Sequence, residues 1–163
     1  MARPGYMKIT GEDQGELTGS VDDERYGEGL IKVFSLTHKV ARSGESEGGV
    51  LNAAVTHQPL ELVKPVDQSS PLLNQALCEQ EFLQVVITWY QPDKEGQQVP
   101  FYQMELEKAQ ILSLTTEMPD CNQPSQDGWH YLERLRLVYK SIAWRMGPGG
   151  EQEFMTQVRK AGE

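Results

Sequence analysis

Cysteine is scarce in this chain. Cys78 and Cys121 are the only two, too few for a disulfide framework and at no metal-ligand spacing, so both read as ordinary thiols. There are three histidines. No H-E-x-x-H pair occurs, and metal-type ligands nowhere recur at close spacing, so no metal and no cofactor are expected. No G-x-S-x-G nucleophile elbow is present either. Long apolar runs are missing: none approaches the ~20 residues that span a bilayer, so membrane insertion is not expected. The opening Met1-Ala2-Arg3-Pro4-Gly5-Tyr6-Met7-Lys8-Ile9 has a basic residue but no apolar h-region. It predicts no Sec-type signal peptide, and a protein made and folded in the cytoplasm that could leave only by a machine accepting folded cargo. Positive charge is also short, with 15 Lys and Arg against 24 Asp and Glu and a net charge of −9. The cations are scattered singly, so an acidic surface repels phosphate backbones and no nucleic-acid partner is expected.

What is present is a β pattern. At 163 residues the chain is read as one domain over 1–146, followed by a flexible tail over 147–163 that begins at Gly147-Pro148-Gly149-Gly150. From Glu81 to Gln91 the apolar Leu83, Val85, Ile87 and Trp89 alternate with more polar residues, the period of a half-buried strand. Leu30 to Val40 is a second strand candidate, rich in β-branched and aromatic residues. In Phe101–Thr116 the apolar parity slips near Glu107-Lys108, which predicts a bulge or corner dividing the run into two strands. Tyr131–Met146 also changes parity, from Leu135, Leu137 and Tyr139 to Ile142 and Trp144, as in a long strand serving two layers. One helix is predicted within Asp67–Cys78, with Ser70 as cap, Pro71 first, and Leu72, Leu73, Ala76 and Leu77 on its apolar side. Residues 41–58 read as a long polar connection, and loops of that length are uncommon unless functional or disordered. Residues 119–128 read as a surface turn.

The remaining polar residues offer little chemistry. His38, His57 and His130 stand in no catalytic order. Glu105 and Glu107 share one strand face and would be the pair of an acidic hydrolase, but a solvated or interface face explains them better. Glu133 has the parity of Leu135 and Leu137, so it should be buried and needs a partner that spacing does not name. Gly48-Gly49 and Gly147–Gly150 lack the context of a phosphate loop. No catalytic constellation emerges, and the chain is read as a non-enzyme.

Four segments then carry a resemblance. Tyr6-Met7-Lys8-Ile9-Thr10-Gly11 looks like the first strand of the Hcp (haemolysin-coregulated protein) family of type VI secretion. Ile31–His38, with its Ser-x-x-His ending, is similar to the family's next strand. His57–Leu73 resembles its strand, its Lys-x-x-Asp-x-x-Ser-Pro motif and its helix. Glu133-x-Leu135-x-Leu137-x-Tyr139-x-x-Ile142-x-Trp144 resembles the closing pattern. They occur in the family order over residues 6–146, while Gln14–Gly29 and the tail match no family pattern.

The resemblance implies a mainly β fold, a β-barrel-like sandwich with one short α-helix, like a phage tail tube. It implies homo-hexameric rings that stack into a tube, a sheath and a spike as partners, small effector proteins carried in the lumen, and secretion by the type VI system without a signal peptide. In the family the long loop after the second strand reaches a neighbouring subunit. Here that assigns Ser43, Gly44, Glu45, Ser46, Glu47, Val50 and Leu51 to a subunit interface. The competing reading is a β-barrel domain binding a small ligand or carbohydrate, with Trp89, Trp129 and Trp144 lining its pocket.

Overall fold

The computed structural model describes residues 2–42, 44, 46–51 and 53–159. In chain order the strands are β1 (Gly5–Gly11), β2 (Gly15–Glu16), β3 (Val21–Asp23), β4 (Gly27–Val33), β5 (Ser35–Thr37), β6 (Val40–Arg42), β7 (Ser46–Glu47), β8 (Val50–Leu51), β9 (Val55–His57) and β10 (Leu60–Pro65). Helix α1 (Ser70–Cys78) follows, and then β11 (Leu83–Pro92), β12 (Gln98–Glu117), β13 (Leu132–Val138), β14 (Ser141–Met146) and β15 (Gln152–Gln157).

The strands make two layers joined by shared, bent chains. One layer runs β3-β4-β1-β11-β12 and continues through β14 to β15, with β2 beside β1; the other runs β12-β13-β10-β5. All pairings are antiparallel. The ladder from β3 to β5 stays open at both ends, so the fold is a sandwich and not a closed barrel.

Each corner falls where the sequence changes parity. In β12, Met104 and Leu106 point inward, and so do Ala109 and Ile111 after the slip. Lys108 absorbs the extra residue at φ +50°, and the β11 register shifts beside it. The expected bulge is therefore present, but β12 stays one strand: Tyr102–Glu107 pair with β14 and Gln110–Glu117 with β13. The predicted strand over 30–40 is likewise two strands. It breaks at Phe34, whose N–H donates to the Val63 carbonyl at 2.8 Å, so β4 serves the first layer and β5 the second. Tyr139-Lys140 is the third corner, separating β13 from β14.

The core fills the space between the layers. Met7, Ile9, Leu83, Val85, Ile87, Met104, Leu106 and Ile142 meet Leu60, Leu62, Ile111, Leu135 and Leu137. Each such side chain contributes about 1.5–3 kcal/mol by leaving water. Helix α1 is nine residues long, too short to hold without docking, and it buries Leu73 and Ala76 against this core.

Three expectations change. Ser69, not Ser70, is the helix N-cap position, and no side chain caps the first turn. Ser70 is buried instead and bonds to Glu133, which stands opposite Lys64 where β10 pairs with β13. The long polar connection expected over 41–58 instead carries strands: β6 pairs with β9 and β7 with β8, giving a β-hairpin. Finally, the tail expected from 147 contains β15, paired with β14 along its whole length. β14 would otherwise expose a row of backbone groups, and β15 satisfies them. The 119–128 segment is an exposed turn with a short 3₁₀ piece at Pro124–Gln126, as expected.

Candidate functional site

No described residue from 40 to 57 belongs to the core cluster. Among the described residues the strands of the 40–57 hairpin pair only within it, β6 with β9 from Val40↔His57 to Arg42↔Val55 near the base and β7 with β8 at Ser46↔Leu51 and Glu47↔Val50 near the tip. Gly48 and Gly49 form the turn at φ +59° and +82°, the pair of positive values that a two-residue hairpin turn needs and that glycine adopts freely. A Cβ at either would meet nothing within 4 Å, so the tip is open. Arg42 Nε donates to the Ala53 carbonyl at 2.9 Å across the hairpin, and Val40 and Val55 are exposed. Of the residues assigned to the interface, Gly44, Ser46, Glu47, Val50 and Leu51 lie on this hairpin; Ser43 and Glu45 fall outside the described residues.

The base of the hairpin is anchored by a group that sequence spacing missed. His38 Nε2 and His57 Nδ1 each lie 2.8 Å from the hydroxyl of Tyr139. His38 sits just before β6 and His57 closes β9, so both legs of the hairpin are tied to the β13–β14 corner. Burial holds both imidazoles below the ordinary histidine value, and His57 lowers His38 further. Burial also pushes the Tyr139 phenol up. His130 lies elsewhere, 5.4 Å from the ring of Phe34.

The partner of Glu133 is Lys64. Its ammonium lies 2.6 Å from Glu133 Oε2 and 3.1 Å from Asp67 Oδ1, and it donates to the Pro65 carbonyl at 2.8 Å. Ser70 Oγ donates to Glu133 Oε2 at 2.9 Å. Lys64 and Glu133 are both essentially closed to solvent, so the cluster has no open position for a substrate and acts as a structural pin between β10, β13 and α1. The signal was in the sequence: Lys64 has the inward parity of Leu60 and Leu62, as Glu133 has that of Leu135.

The other chemical candidates do not converge. Glu105 pairs with Arg145 and accepts from Gln84 Nε2 at 2.7 Å, while Glu107 accepts from the Ser141 hydroxyl at 3.3 Å. Both carboxylates are engaged by neighbours in place, the surface role expected of them. Trp89 and Trp144 pack against the core while Trp129 is 61% exposed, so the three do not line one pocket. Cys78 and Cys121 are free and exposed. Among the described residues no group of three or more His, Cys, Asp or Glu could hold a metal, and no helix is long and apolar enough to cross a membrane. A shallow cleft of about 310 Å³ lies beside a cluster of Tyr6, Tyr26 and Tyr90. Tyr6 stacks on Tyr26 at 4.1 Å, and burial first, then Tyr26, pushes its phenol up to about 12.

Known proteins are similar to this chain in sequence and in fold. The "Major exported protein" of Pseudomonas aeruginosa is 31% identical over 170 residues, covering 97% of this chain and 99% of that one. The solved structure of the Hcp1 protein from E. coli EAEC 042 superposes with a TM-score of 0.82 at 25% identity, covering 96% of this chain and 99% of the other. Secreted protein Hcp3 from Pseudomonas aeruginosa gives a TM-score of 0.73 at 28% identity, over 98% and 100% of the two chains. The family described as "Type VI secretion system effector, Hcp" matches residues 6–146, the span from the first strand to the end of β14, and the chain belongs to that family.

Proposed function

We propose that the chain is a non-catalytic subunit of the inner tube of a type VI secretion system. Six copies form a ring, rings stack, and the assembly is exported, with the lumen able to carry small effector proteins and with sheath and spike proteins as its partners. The observation that supports this reading best is the hairpin over 40–57, which pairs with no other strand of its own chain among the described residues, in a fold matched to the Hcp family over 6–146. A two-stranded ribbon is marginal alone, so a contact outside its own subunit is the natural reason to keep it. Export is supported by the relative named for it.

Ring closure has physical requirements that the fold can meet. A head-to-tail ring uses two different complementary surfaces on each subunit. The hairpin offers one, and the outer edges of β15 and β3, which have no strand neighbour among the described residues, offer backbone groups for another. Assembly from a chain of net charge −9 must also overcome like-charge repulsion, so moderate salt should favour it.

Light scattering of the purified protein, followed by negative-stain microscopy, tests this. The expected result is a sixfold particle with a central hole. Deleting residues 44–49 should weaken rings or stacks while circular dichroism reports unchanged β content. A monomer at all concentrations and salts would refute the tube reading. A deletion variant that assembles as well as the intact chain would remove the hairpin from the interface.

A further inference from the structure

Two imidazoles sharing one phenol make an arrangement with a built-in proton limit. A tyrosine hydroxyl has one proton to donate and two lone pairs to accept with, and a neutral imidazole has one donor and one acceptor nitrogen. With both rings neutral, the Tyr139 hydroxyl donates to one and accepts from the other, and every group at the 2.8 Å contacts is satisfied. Protonating the accepting ring converts it to a donor and strands the phenol proton in a half-buried site. Protonating both sets two cations around a single oxygen.

Among the described residues no ion pair offsets that charge: no carboxylate lies within ion-pair distance of either ring. Trp144 of β14 faces His38 at 6.3 Å between ring centres. The charged residues within four positions of the cluster along the chain are the cations Lys39, Arg42, Arg136 and Lys140 and the carboxylate Glu61, which is paired with Arg136. Glu107 on the neighbouring strand accepts from Ser141 and forms no ion pair with either ring. The cluster also sits where leverage is greatest, at the point where both hairpin legs leave the body. The Gln58 N–H to Lys39 carbonyl bond, at 2.9 Å, closes the hairpin below its first ladder pair.

We propose that His38, Tyr139 and His57 form a proton-sensitive clasp that fixes the hairpin to the body, so that acidification frees the hairpin and weakens contacts made through it. The second half rests on the reading of the hairpin as an intersubunit arm; the first does not. The direction follows from linkage. Both histidines have folded values lowered from 6.5, chiefly by burial. The clasped state therefore binds fewer protons than the open one, holds fully above pH 6.5, and loses its advantage as pH falls below it.

Hydrogen exchange of the full-length protein, corrected for intrinsic rates, tests the clasp between about pH 7.5 and pH 5.5. Protection of residues 40–57 should fall by about tenfold or more at the lower pH, with Leu83–Pro92 unchanged. His38→Gln with His57→Asn preserves donors and acceptors near the original nitrogens without taking up a proton, and should flatten the profile. Tyr139→Phe should leave the hairpin weakly protected at both pH values. If the double variant folds poorly, His57→Asn alone should show a reduced response. Equal wild-type protection at both pH values, or a fall that persists in the double variant, would overturn the clasp. Light scattering on the same samples separates the halves: rings lost as the hairpin opens support the link to assembly, and rings intact around an open hairpin overturn it.

Discussion

Lys64 is fully enclosed, and its ammonium is held by Glu133, Asp67 and the Pro65 carbonyl. Buried ion pairs gain little over apolar packing, yet breaking one strands a charge in low dielectric. Lys64→Met should therefore cost about 3–5 kcal/mol, because it leaves two carboxylates facing each other. Lys64→Met combined with Glu133→Leu should recover part of that loss, as read by urea unfolding. A single variant with unchanged stability would mean that water reaches the site. The burial of Glu133 was legible in its parity with Leu135 and Leu137. Its hydrogen-bonded geometry with Ser70 was not, since a serine before a proline and an apolar run fits a helix cap equally well. Similarly, His38, His57 and Tyr139 gave no spacing signal, the histidines being 101 and 82 positions from the tyrosine along the chain.

Among the elements, the longer strands with one buried face were legible, while β1 and β10, which also bury one face, entered only through the family resemblance. Alternation in Leu83–Trp89 and the slip at Glu107-Lys108 each report which side of a strand meets the core, and both reappear in β11 and β12. The hairpin was not legible for the same reason: among the described residues its strands pair only within the hairpin, and Val40 and Val55 at its base are exposed, so no buried face imposes a period there. Its turn is the exception, since Gly48-Gly49 occupies two positive-φ positions. Replacing both with alanine should cost about 1–2 kcal/mol per residue, confined to the hairpin. Hydrogen exchange should rise across 46–51 while the global Tm stays unchanged; a lowered Tm would show that the hairpin supports the core after all.

For the whole molecule, the outer edge of the first layer depends on β15. Phe154 stacks on Trp144 at 5.9 Å with an interplanar angle of 8°, and the β14 ladder runs from Ser141↔Gln157 to Met146↔Gln152. Truncation after Gly150 should lower stability by about 2 kcal/mol, or about 4–8 °C in Tm, and should promote aggregation through the bared β14 edge. An unchanged Tm would make β15 an ornament of the fold. The sequence by itself determined the mainly β class, the inward faces of β11, β12 and β13, the position of the β12 corner and the family, because those rest on local alternation and on the order of short motifs. The tertiary structure alone decided which distant polar residues meet, that 41–58 is a hairpin, and that the segment after Gly150 is a strand. Those outcomes depend on pairing across long stretches of chain, where the partner, and not the local period, supplies the energy.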